Sequence, residues 1–512
     1  MLLLSVERLT KEIARGGGIA FLGQIVGKAL ALLLQFLLTR VLGPAGYGLY
    51  ALGFSVLGVA RMVASLGLQN AVVRFGSMYL DEAGRSRLKG ILLLAIGTSL
   101  ATGVLAAVVL WFLADLIAVG AFDEPNLAAP LRLFSLALPF YTLLIVASHS
   151  ARVFRRIDYE IIVTQLFRPL LALLVTGVSF LIGYRLIGAV AGFVISTAMA
   201  LSLSLFLLHR LFPDLTSRLK SHCEPSRILG FSLTTLLLGL SYLMLTRTDR
   251  IMLGVIRSAA EVGVYNAAAV MAEQATLVLL SFNAIFAPII ASLFHQGRSK
   301  ELEVLFKTTT KWILALTLPV AFVMVLFARP IMSLFGPSFA AGGSLVLISL
   351  GLAQLVNASV GPVELMLTMS GRHKLALVNA VTLGGVNVLL NLLLIPRYGV
   401  LGAGIATGIS ISAVNIVKVI EVYVCYKVHP FLGSYWKPLS AGVLAAMIWL
   451  GIEYALRPSG WAWLVGVGVF SVTYLLLLLA FKLDGNDKQI LSAVIRRLAR
   501  LWQKGRGDGK RE

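Results

Sequence analysis

Most of the sequence consists of apolar stretches long enough to cross a membrane, separated by short polar segments. A bilayer-spanning helix needs about 20 mostly apolar residues. The pattern predicts fourteen spans, numbered here in chain order: 18–39, 46–68, 89–112, 130–151, 159–182, 186–209, 228–248, 261–286, 308–328, 343–368, 374–395, 400–423, 438–456 and 461–481. Only 13% of the residues are charged, whereas a soluble domain carries about 25%. The chain is therefore predicted to be an all-α polytopic membrane protein.

The positive charges predict the orientation of these spans. If the N-terminus is cytoplasmic, the cytoplasmic segments hold 30 Lys and Arg residues and the outer segments hold 8. This ratio satisfies the positive-inside rule and places both termini in the cytoplasm. The net charge of +21 then reflects topology, and the basic tail is predicted to lie on anionic lipid headgroups. Cys223 and Cys425 lack the spacing of a metal site or a disulfide framework.

Two pairs of matching segments indicate an internal repeat. AGYGLYALG at 45–53 resembles AAEVGVYNAA at 259–268, and YRLIGAVAG at 184–192 resembles PRYGVLGAG at 396–404. All four lie on the predicted outer side, so the halves are expected to be parallel repeats that rock about a central cavity and give alternating access. The predicted parts are a cytoplasmic segment 1–17, an N-lobe 18–210, a cytoplasmic linker 211–227, a C-lobe 228–424, two extra helices within 438–481 and a cytoplasmic tail 482–512.

Polar residues inside the spans are the candidates for a transport site. A charge at the centre of a span costs about 2.5–3.5 kcal/mol on insertion scales, so such residues usually face a protein-lined or wet interior. Gln24, Lys28 and Gln35 share one face of span 1. We expect this stripe to face the cavity, although hydrogen bonds between helices and a snorkelling lysine are the alternative. Arg168 lies near the middle of span 5 and is followed by Pro169.

Three further arginines are candidate site residues, and for each of them a purely structural role is the alternative. Arg61 lies near the cytoplasmic end of span 2, where it either faces the cavity or reaches the lipid headgroups. Arg247 and Arg250 flank Asp249 in the stretch TRTDRIMLG at the end of span 7. They form either a local charge pair at the outer interface or the mouth of the cavity.

Carboxylates within the membrane are candidates for coupling to an ion. Glu273, near the middle of span 8, shares a face with Asn266, and Glu364 in span 10 shares one with Asn357. Glu273 is the preferred coupling carboxylate, with Asp249 and Glu364 as further candidates. The coupling ion is a proton or sodium, and no other cofactor and no bound metal is expected. Lys418 and Glu421 are predicted to form an ion pair.

The balance of charge inside the membrane predicts the class of substrate. Cations outnumber carboxylates within the spans, so a central cavity would be positive and would suit an anionic substrate such as one that carries phosphate groups. Cationic drugs would require an acidic cavity instead. The sequence contains no catalytic triad or acid pair with suitable spacing and no GxxxxGK[ST] motif. Neither an enzyme nor an ATP-driven pump is predicted.

Three stretches carry a resemblance to a known family. They are LLTRVLGPAGYGLYAL (37–52), TRTDRIMLGVIRSAAEVGVYNAA (246–268) and LVNAVTLGGVNVLLNLLLIPRYGVLGAGIAT (377–407). The chain resembles the polysaccharide transporter family, which includes O-antigen-type oligosaccharide flippases, of the multidrug/oligosaccharidyl-lipid/polysaccharide exporter superfamily. The resemblance implies translocation of a polyprenyl-pyrophosphate-linked oligosaccharide across the cytoplasmic membrane for envelope polysaccharide or glycan assembly.

Several alternatives stay open at this point. A lipid II flippase and a multidrug/cation antiporter belong to the same superfamily. A membrane scaffold of a polysaccharide assembly complex would transport nothing, and a membrane glycosyltransferase or polymerase would need an acidic loop motif that the sequence lacks. The expected partners are the lipid-linked oligosaccharide, membrane lipids and a polysaccharide polymerase or glycosyltransferases. No nucleic acid is expected to bind, and a monomer is expected.

Overall fold

Helices form the whole of the described fold. The computed structural model describes residues 2–218, 220–456 and 462–481, so the predicted tail 482–512 lies outside the described residues. The α-helices are α1 (Leu2–Ser65), α2 (Leu68–Gly76), α3 (Arg85–Asp115), α4 (Ala128–Ser135), α5 (Ala137–Ser150), α6 (Ile157–Ile161), α7 (Arg168–Leu181), α8 (Leu186–Leu211), α9 (Pro225–Ile256), α10 (Ala259–Ala272), α11 (Thr276–His295), α12 (Ser299–Leu326), α13 (Ala328–Ser333), α14 (Pro337–Ser359), α15 (Val363–Met369), α16 (His373–Tyr426), α17 (Trp436–Leu456) and α18 (Ala462–Ala480). Turns of π-helix follow α3 and precede α7.

The described helices include enough long apolar segments for a multi-pass membrane protein. Ten of them are long and apolar enough to cross a bilayer, and the number is up to eleven if the bent pair α4–α5 is one span. The pair bends by 47°, within the stretch 130–151 that the sequence predicts as one span. Pro139 gives the physical reason, because it has no amide hydrogen to donate to the carbonyl of Ser135.

Two of the apolar helices are much longer than a single crossing requires. Each bends at a glycine whose backbone leaves the helical region. Gly43 in α1 has φ 66° and precedes Pro44, and Gly399 in α16 has φ 53° and follows Pro396. Both kinks coincide with breaks that the sequence predicts between neighbouring spans. A side chain disfavours the positive φ, whereas glycine tolerates it.

The two segments of the predicted repeat pack against each other in a reciprocal way. A Cβ atom on Gly48 would lie 1.6 Å from the carbonyl oxygen of Ala259, and a Cβ on Gly263 would lie 2.2 Å from the carbonyl oxygen of Pro44. The aligned residues therefore exchange the same contact in both directions, as a local two-fold relation requires. Glycine at both positions lets the backbones of α1 and α10 touch.

The structure modifies one predicted span and shortens another. Most of predicted span 8 falls within one candidate membrane span, Ala259–Asn283, in which a 3₁₀ turn over Glu273–Ala275 separates α10 from α11. Predicted span 10 ends early, because Gly361 adopts a positive φ of 63° before α15 starts. Asn357 and Glu364 consequently do not share the face of one helix. Pro362 reinforces this break, since a proline restricts the residue before it away from the helical region.

The chain divides into two compact units. Unit 1 comprises residues 1–270, 331–346 and 377–407, and unit 2 comprises 271–330, 347–376 and 408–512. The core of unit 1 includes Leu68, Val72 and Leu92, which are fully buried. The core of unit 2 includes Met366 and Val422. The lobe boundaries stay a prediction.

Candidate functional site

Three predicted site residues from distant parts of the chain meet within unit 1. Arg61 of α1, Arg168 of α7 and Arg247 of α9 all lie over aromatic rings. The guanidinium carbon of Arg61 is 5.0 Å from the ring centre of Tyr141, and that of Arg168 is 5.6 Å from the same ring. Arg247 lies 5.1 Å from the ring centre of Phe54. These contacts bring the three predicted arginines together.

The rings below the arginines form one packed group. Phe193 contacts both Phe54, at 5.4 Å between ring centres, and Tyr141, at 5.5 Å. We call the arginines and rings together the arginine–aromatic cluster, and it comprises Arg61, Arg168, Arg247, Tyr50, Phe54, Phe134, Tyr141 and Phe193. Nothing in the sequence distinguishes these rings, because aromatic residues in apolar helices usually belong to the core. Placement of a guanidinium over a ring contributes about 0.5–2 kcal/mol.

Local backbone geometry places Arg168 in this cluster. Pro169 has no amide hydrogen for the carbonyl of Gln165, and the backbone widens into a π-helical turn over Ile162–Phe167 just before Arg168. Gly27 of α1 packs against this turn, since a Cβ there would lie 2.4 Å from the carbonyl oxygen of Gln165. π-helical turns inside helices often occur at functional sites.

The cluster has the chemistry of an anion-binding site. Within the described ranges, neither Arg61 nor Arg168 forms an ion pair with a carboxylate. Both side chains are half-buried, so their charge is screened less than at an open surface. A guanidinium presents several donors in a planar fork that fits phosphate oxygens. The cluster can therefore hold a phosphate or pyrophosphate group against an aromatic surface.

Three other predicted residues belong to a separate hydrogen-bonded chain. The Tyr47 hydroxyl donates to Oε1 of Gln35 at 2.5 Å and accepts from Nδ2 of Asn266 at 2.6 Å. Nε of Arg250 donates to Oδ1 of Asn266 at 2.6 Å. The chain links α1 on both sides of its kink to α10 and α9. These hydrogen bonds thus contribute to the packing of unit 1, and they involve the predicted residues Gln35, Asn266 and Arg250.

Asp249 is the centre of a second polar group in unit 1. Its carboxylate is 4% exposed and accepts hydrogen bonds from Tyr265 Oη at 2.9 Å, Thr407 Oγ1 at 2.7 Å and Asn391 Nδ2 at 2.7 Å. The Asn391 amide also donates to Oδ1 of Asn387 at 3.0 Å. We call these five residues the Asp249 cluster. It joins α9 and α10 to both sides of the kink in α16.

One atom of the Asp249 cluster has no partner. Oδ1 of Asn391 is buried without a hydrogen bond, and burial of an unpaired polar atom costs about 1–3 kcal/mol. Rotation of this amide by 180° would exchange its oxygen and nitrogen and place the oxygen against the acceptor oxygens of Asp249 and Asn387. These oxygens would repel one another unless a cation lay between them. Carboxylate, amide and hydroxyl oxygens are the donors that hard cations prefer. The residues present therefore fit a small cation or a proton.

The sequence offers Asp249 as one of three candidate coupling carboxylates but does not identify its hydrogen-bond partners. Asn387 and Asn391 are four residues apart on an otherwise apolar helix, which places both amides on one face. That spacing was the available signal. Among the described residues, no group of three or more His, Cys, Asp or Glu side chains forms a metal site.

The remaining predicted residues are not brought into either cluster. Gln24 is exposed and Lys28 half-buried on α1. Glu273 is exposed in its 3₁₀ turn. Nζ of Lys418 lies 3.0 Å from Oε2 of Glu364, so Glu364 is the ion-pair partner that the structure gives Lys418, where the sequence predicts Glu421.

Solved structures with the same fold are membrane transporters. A structure titled lipid II flippase MurJ, inward closed conformation, has a TM-score of 0.70 at 17% identity and covers 90% of this chain and 98% of its own. An inward-facing multidrug resistance MATE family transporter of the MOP superfamily has a TM-score of 0.67 at 16% identity, with 78% and 94% covered. At these identities the likeness establishes the fold. The protein therefore has the fold of MOP superfamily transporters.

A family match gives the narrower assignment. Residues 13–294, more than half of the chain, match the family of polysaccharide biosynthesis proteins, and the chain belongs to that family. It is 29% identical over 209 residues to the Bacillus subtilis membrane protein EpsK, covering 39% of this chain and 40% of EpsK. It is 28% identical over 222 residues to the probable flippase AglR of Haloferax volcanii, covering 41% and 45%. The chain spans less than half the length of these two curated relatives.

Proposed function

We propose that this protein is a flippase that moves a polyprenyl-pyrophosphate-linked oligosaccharide across the cytoplasmic membrane. The observation that carries the proposal is the arginine–aromatic cluster, in which arginines from three helices lie together without a carboxylate partner for Arg61 or Arg168 in the described residues. The pyrophosphate binds the guanidinium groups and the aromatic rings contact the first sugar. The family match and the probable flippase AglR support this substrate class.

We propose that the membrane is crossed fourteen times, with both termini in the cytoplasm. The apolar parts of α1 and α16 span 43 and 53 residues, and each contains a kink where a second crossing begins. A count of two crossings for each of these helices, one for the pair α4–α5 and one for the 32-residue α9 supports this number. Alternating access then arises from movement of the two predicted lobes.

We further propose that transport is coupled to a proton or sodium ion at Asp249. Its carboxylate is buried and hydrogen-bonded by three side chains, and one carboxylate balances one monovalent cation. Asp249 is also adjacent in sequence to Arg250, whose side chain belongs to the hydrogen-bonded chain that reaches α1. Occupancy of Asp249 is therefore positioned to influence the packing of the same helices that carry the arginines.

The transport activity is tested by flipping of a labelled polyprenyl-pyrophosphate oligosaccharide in proteoliposomes. Arg168→Gln is expected to lower the rate by about 10-fold to 100-fold, because a hydrogen bond to a charged group contributes about 1.5–3 kcal/mol. Arg168→Lys should retain part of the rate, since it keeps the charge and loses the planar fork. Labelled lipid II, tested in parallel, distinguishes the alternative flippase substrate.

The matched control is Arg185→Gln, which removes an exposed arginine just beyond the other end of α7. This variant should flip the substrate at the wild-type rate. Wild-type rates in both Arg61→Gln and Arg168→Gln would contradict the cluster as the pyrophosphate site. Faster transport of a cationic drug than of either lipid would favour the antiporter.

A further inference from the structure

A groove in unit 1 lies at the end of the helices opposite the kinks of α1 and α16. Its cavity volume is about 170 Å³, and it is lined by residues that include Phe75, Tyr79, Arg87, Ile91, His222 and Arg227. These residues come from the end of α2, the start of α3, the linker and the start of α9. The sequence predicts that all of them are at or near the cytoplasmic face. The groove is separate from the arginine–aromatic cluster, with which it shares no residue.

The linker forms one wall of this groove because it is bound along the start of α3. Ser86 Oγ donates to the carbonyl of Lys220 at 2.5 Å, and the amide of His222 donates to the carbonyl of Ser86 at 3.1 Å. The buried Nζ of Lys89 donates to the carbonyl of Ser217 at 2.6 Å. Gly90 allows the close approach, since a Cβ there would lie 2.2 Å from the carbonyl oxygen of His222. The wall is therefore held in place by hydrogen bonds within the protein.

Two arginines of the groove are held on aromatic rings and stay exposed. The guanidinium carbon of Arg87 lies 5.4 Å from the ring centre of Tyr79, and that of Arg227 lies 5.6 Å from the ring centre of Phe75. Arg227 also has Glu224 nearby, with Nη1 and Oε2 separated by 3.7 Å and both side chains more than 60% exposed. An exposed pair of this kind contributes about 0–1 kcal/mol. An anion can displace the Glu224 carboxylate at little cost.

The floor of the groove is apolar. Phe75, Ile91 and Ile228 are each at most 7% exposed. Both long helices that border the groove, α3 and α9, begin here, and helix N-termini favour negative charge. A ligand that fits has an anionic group for the arginines and an apolar chain for the floor. Basic pockets between helices at the cytoplasmic side bind anionic lipid headgroups.

We propose that this groove binds the phosphodiester headgroup of an anionic phospholipid from the cytoplasmic leaflet. Arg87 and Arg227 contact the phosphate oxygens, and the start of one acyl chain lies along Ile91 and Ile228. The bound lipid bridges the linker to α2, α3 and α9. It is a resident lipid that holds the linker in place, and it is distinct from the transported substrate.

The test titrates detergent-purified, delipidated protein with short-chain phosphatidylglycerol and counts bound lipids by native mass spectrometry. The double variant Arg87→Gln/Arg227→Gln is expected to bind about 30-fold more weakly, because each arginine near an anionic lipid surface contributes about a five- to six-fold gain in affinity. Glu224→Gln should bind up to about five-fold more tightly, since it removes the competing carboxylate. Phosphatidylcholine, which has no net charge, should bind weakly to every variant.

The matched control is Arg185→Gln/Arg397→Gln, which removes two exposed arginines from the predicted outer side. It should bind phosphatidylglycerol like the wild type. Equal binding by the wild type and Arg87→Gln/Arg227→Gln, or weaker binding by Glu224→Gln than by the wild type, would overturn the proposal. Competition with inorganic phosphate and with glycerophosphoglycerol tests whether the groove binds a lipid headgroup or a soluble phosphate compound. Displacement of the lipid by either one at an equal concentration would assign the groove to a soluble ligand and overturn the lipid assignment.

Discussion

Asp249→Asn is expected to abolish the stimulation of flipping by an ion gradient. The substitution keeps the shape of the side chain and removes the only carboxylate of the Asp249 cluster. It also points an amide at groups that now donate to Asp249, namely the Tyr265 hydroxyl, the Thr407 hydroxyl and the Asn391 amide. Proteoliposomes loaded with substrate, with a sodium gradient or a pH gradient imposed separately, measure the effect. The gradient that stimulates the wild type identifies the coupling ion.

Thr407→Val tests the contribution of a neighbouring hydroxyl separately from that of the Asp249 carboxylate. It removes a hydroxyl that donates to Oδ2 of Asp249 at 2.7 Å and retains the charge. This hydrogen bond stabilises the charged carboxylate by about 1.5–3 kcal/mol, so a proton should bind Asp249 more tightly in the variant, and half-maximal stimulation by a pH gradient should require about a 10-fold lower proton concentration. The maximal rate should change less than the ion concentration that is required.

Three carboxylate variants serve as controls for the coupling experiment. Asp115→Asn removes an exposed carboxylate that pairs with Arg132 and should leave the stimulation unchanged. Glu273→Gln and Glu364→Gln test the other two carboxylates that the sequence offers, and both should retain stimulation. Retained stimulation in Asp249→Asn, together with its loss in Glu273→Gln, would show that the structure-based choice of the carboxylate is wrong.

Gly48→Ala is expected to destabilise the protein strongly. A Cβ at this position would lie 1.6 Å from the carbonyl oxygen of Ala259 and 3.1 Å from the amide nitrogen of Gly263. Both neighbours are backbone atoms that cannot rotate away, so α1 and α10 must separate. Overpacking of this kind typically costs about 1–3 kcal/mol and occasionally more. Thermal melting followed by fluorescence-detected size-exclusion chromatography in detergent should show a lower melting temperature and less folded protein.

Gly58→Ala is the matched control on the same helix. No atom lies within 4 Å of a Cβ built at Gly58, and alanine is favoured over glycine in a helix by about 0.5–1 kcal/mol. This variant should melt at the wild-type temperature or slightly above it. Gly263→Ala should behave like Gly48→Ala, because its Cβ would meet the carbonyl of Pro44. Equal melting of Gly48→Ala and Gly58→Ala would contradict the close approach of the two backbones.

Local chemistry explains which parts of the fold were predictable. Apolar runs predict membrane helices because each crossing must bury about 20 residues and satisfy its own backbone hydrogen bonds. The kinks near Gly43 and Gly399 were predictable as breaks because glycine and proline act on their own backbone and on the preceding turn. The interruption at Gly361 follows from the same chemistry, and an unbroken apolar run obscured it in the sequence.

The candidate site was predictable only in part. The cost of a charge within the membrane singles out Arg168 from the sequence alone, whereas Asp249 lies just beyond predicted span 7 and is ranked behind Glu273 as a coupling carboxylate. Their partners could not be read from the chain, because Asn391 lies 142 residues from Asp249 and Tyr141 belongs to a different helix from each of the arginines. Which polar residues meet depends on which helices become neighbours and how each one is rotated.

The sequence by itself therefore determined the membrane-spanning class, the places where the longest helices bend, and an excess of positive charge within the membrane. These follow from hydropathy, backbone restriction and the cost of burying charge, which act over a few residues. Only the tertiary structure decided that Arg61, Arg168 and Arg247 share one aromatic surface, that Asp249 has oxygen-bearing neighbours, and that Glu364 pairs with Lys418. Those pairings depend on side-chain packing between distant helices, where the rotation of a helix by one residue would replace every partner.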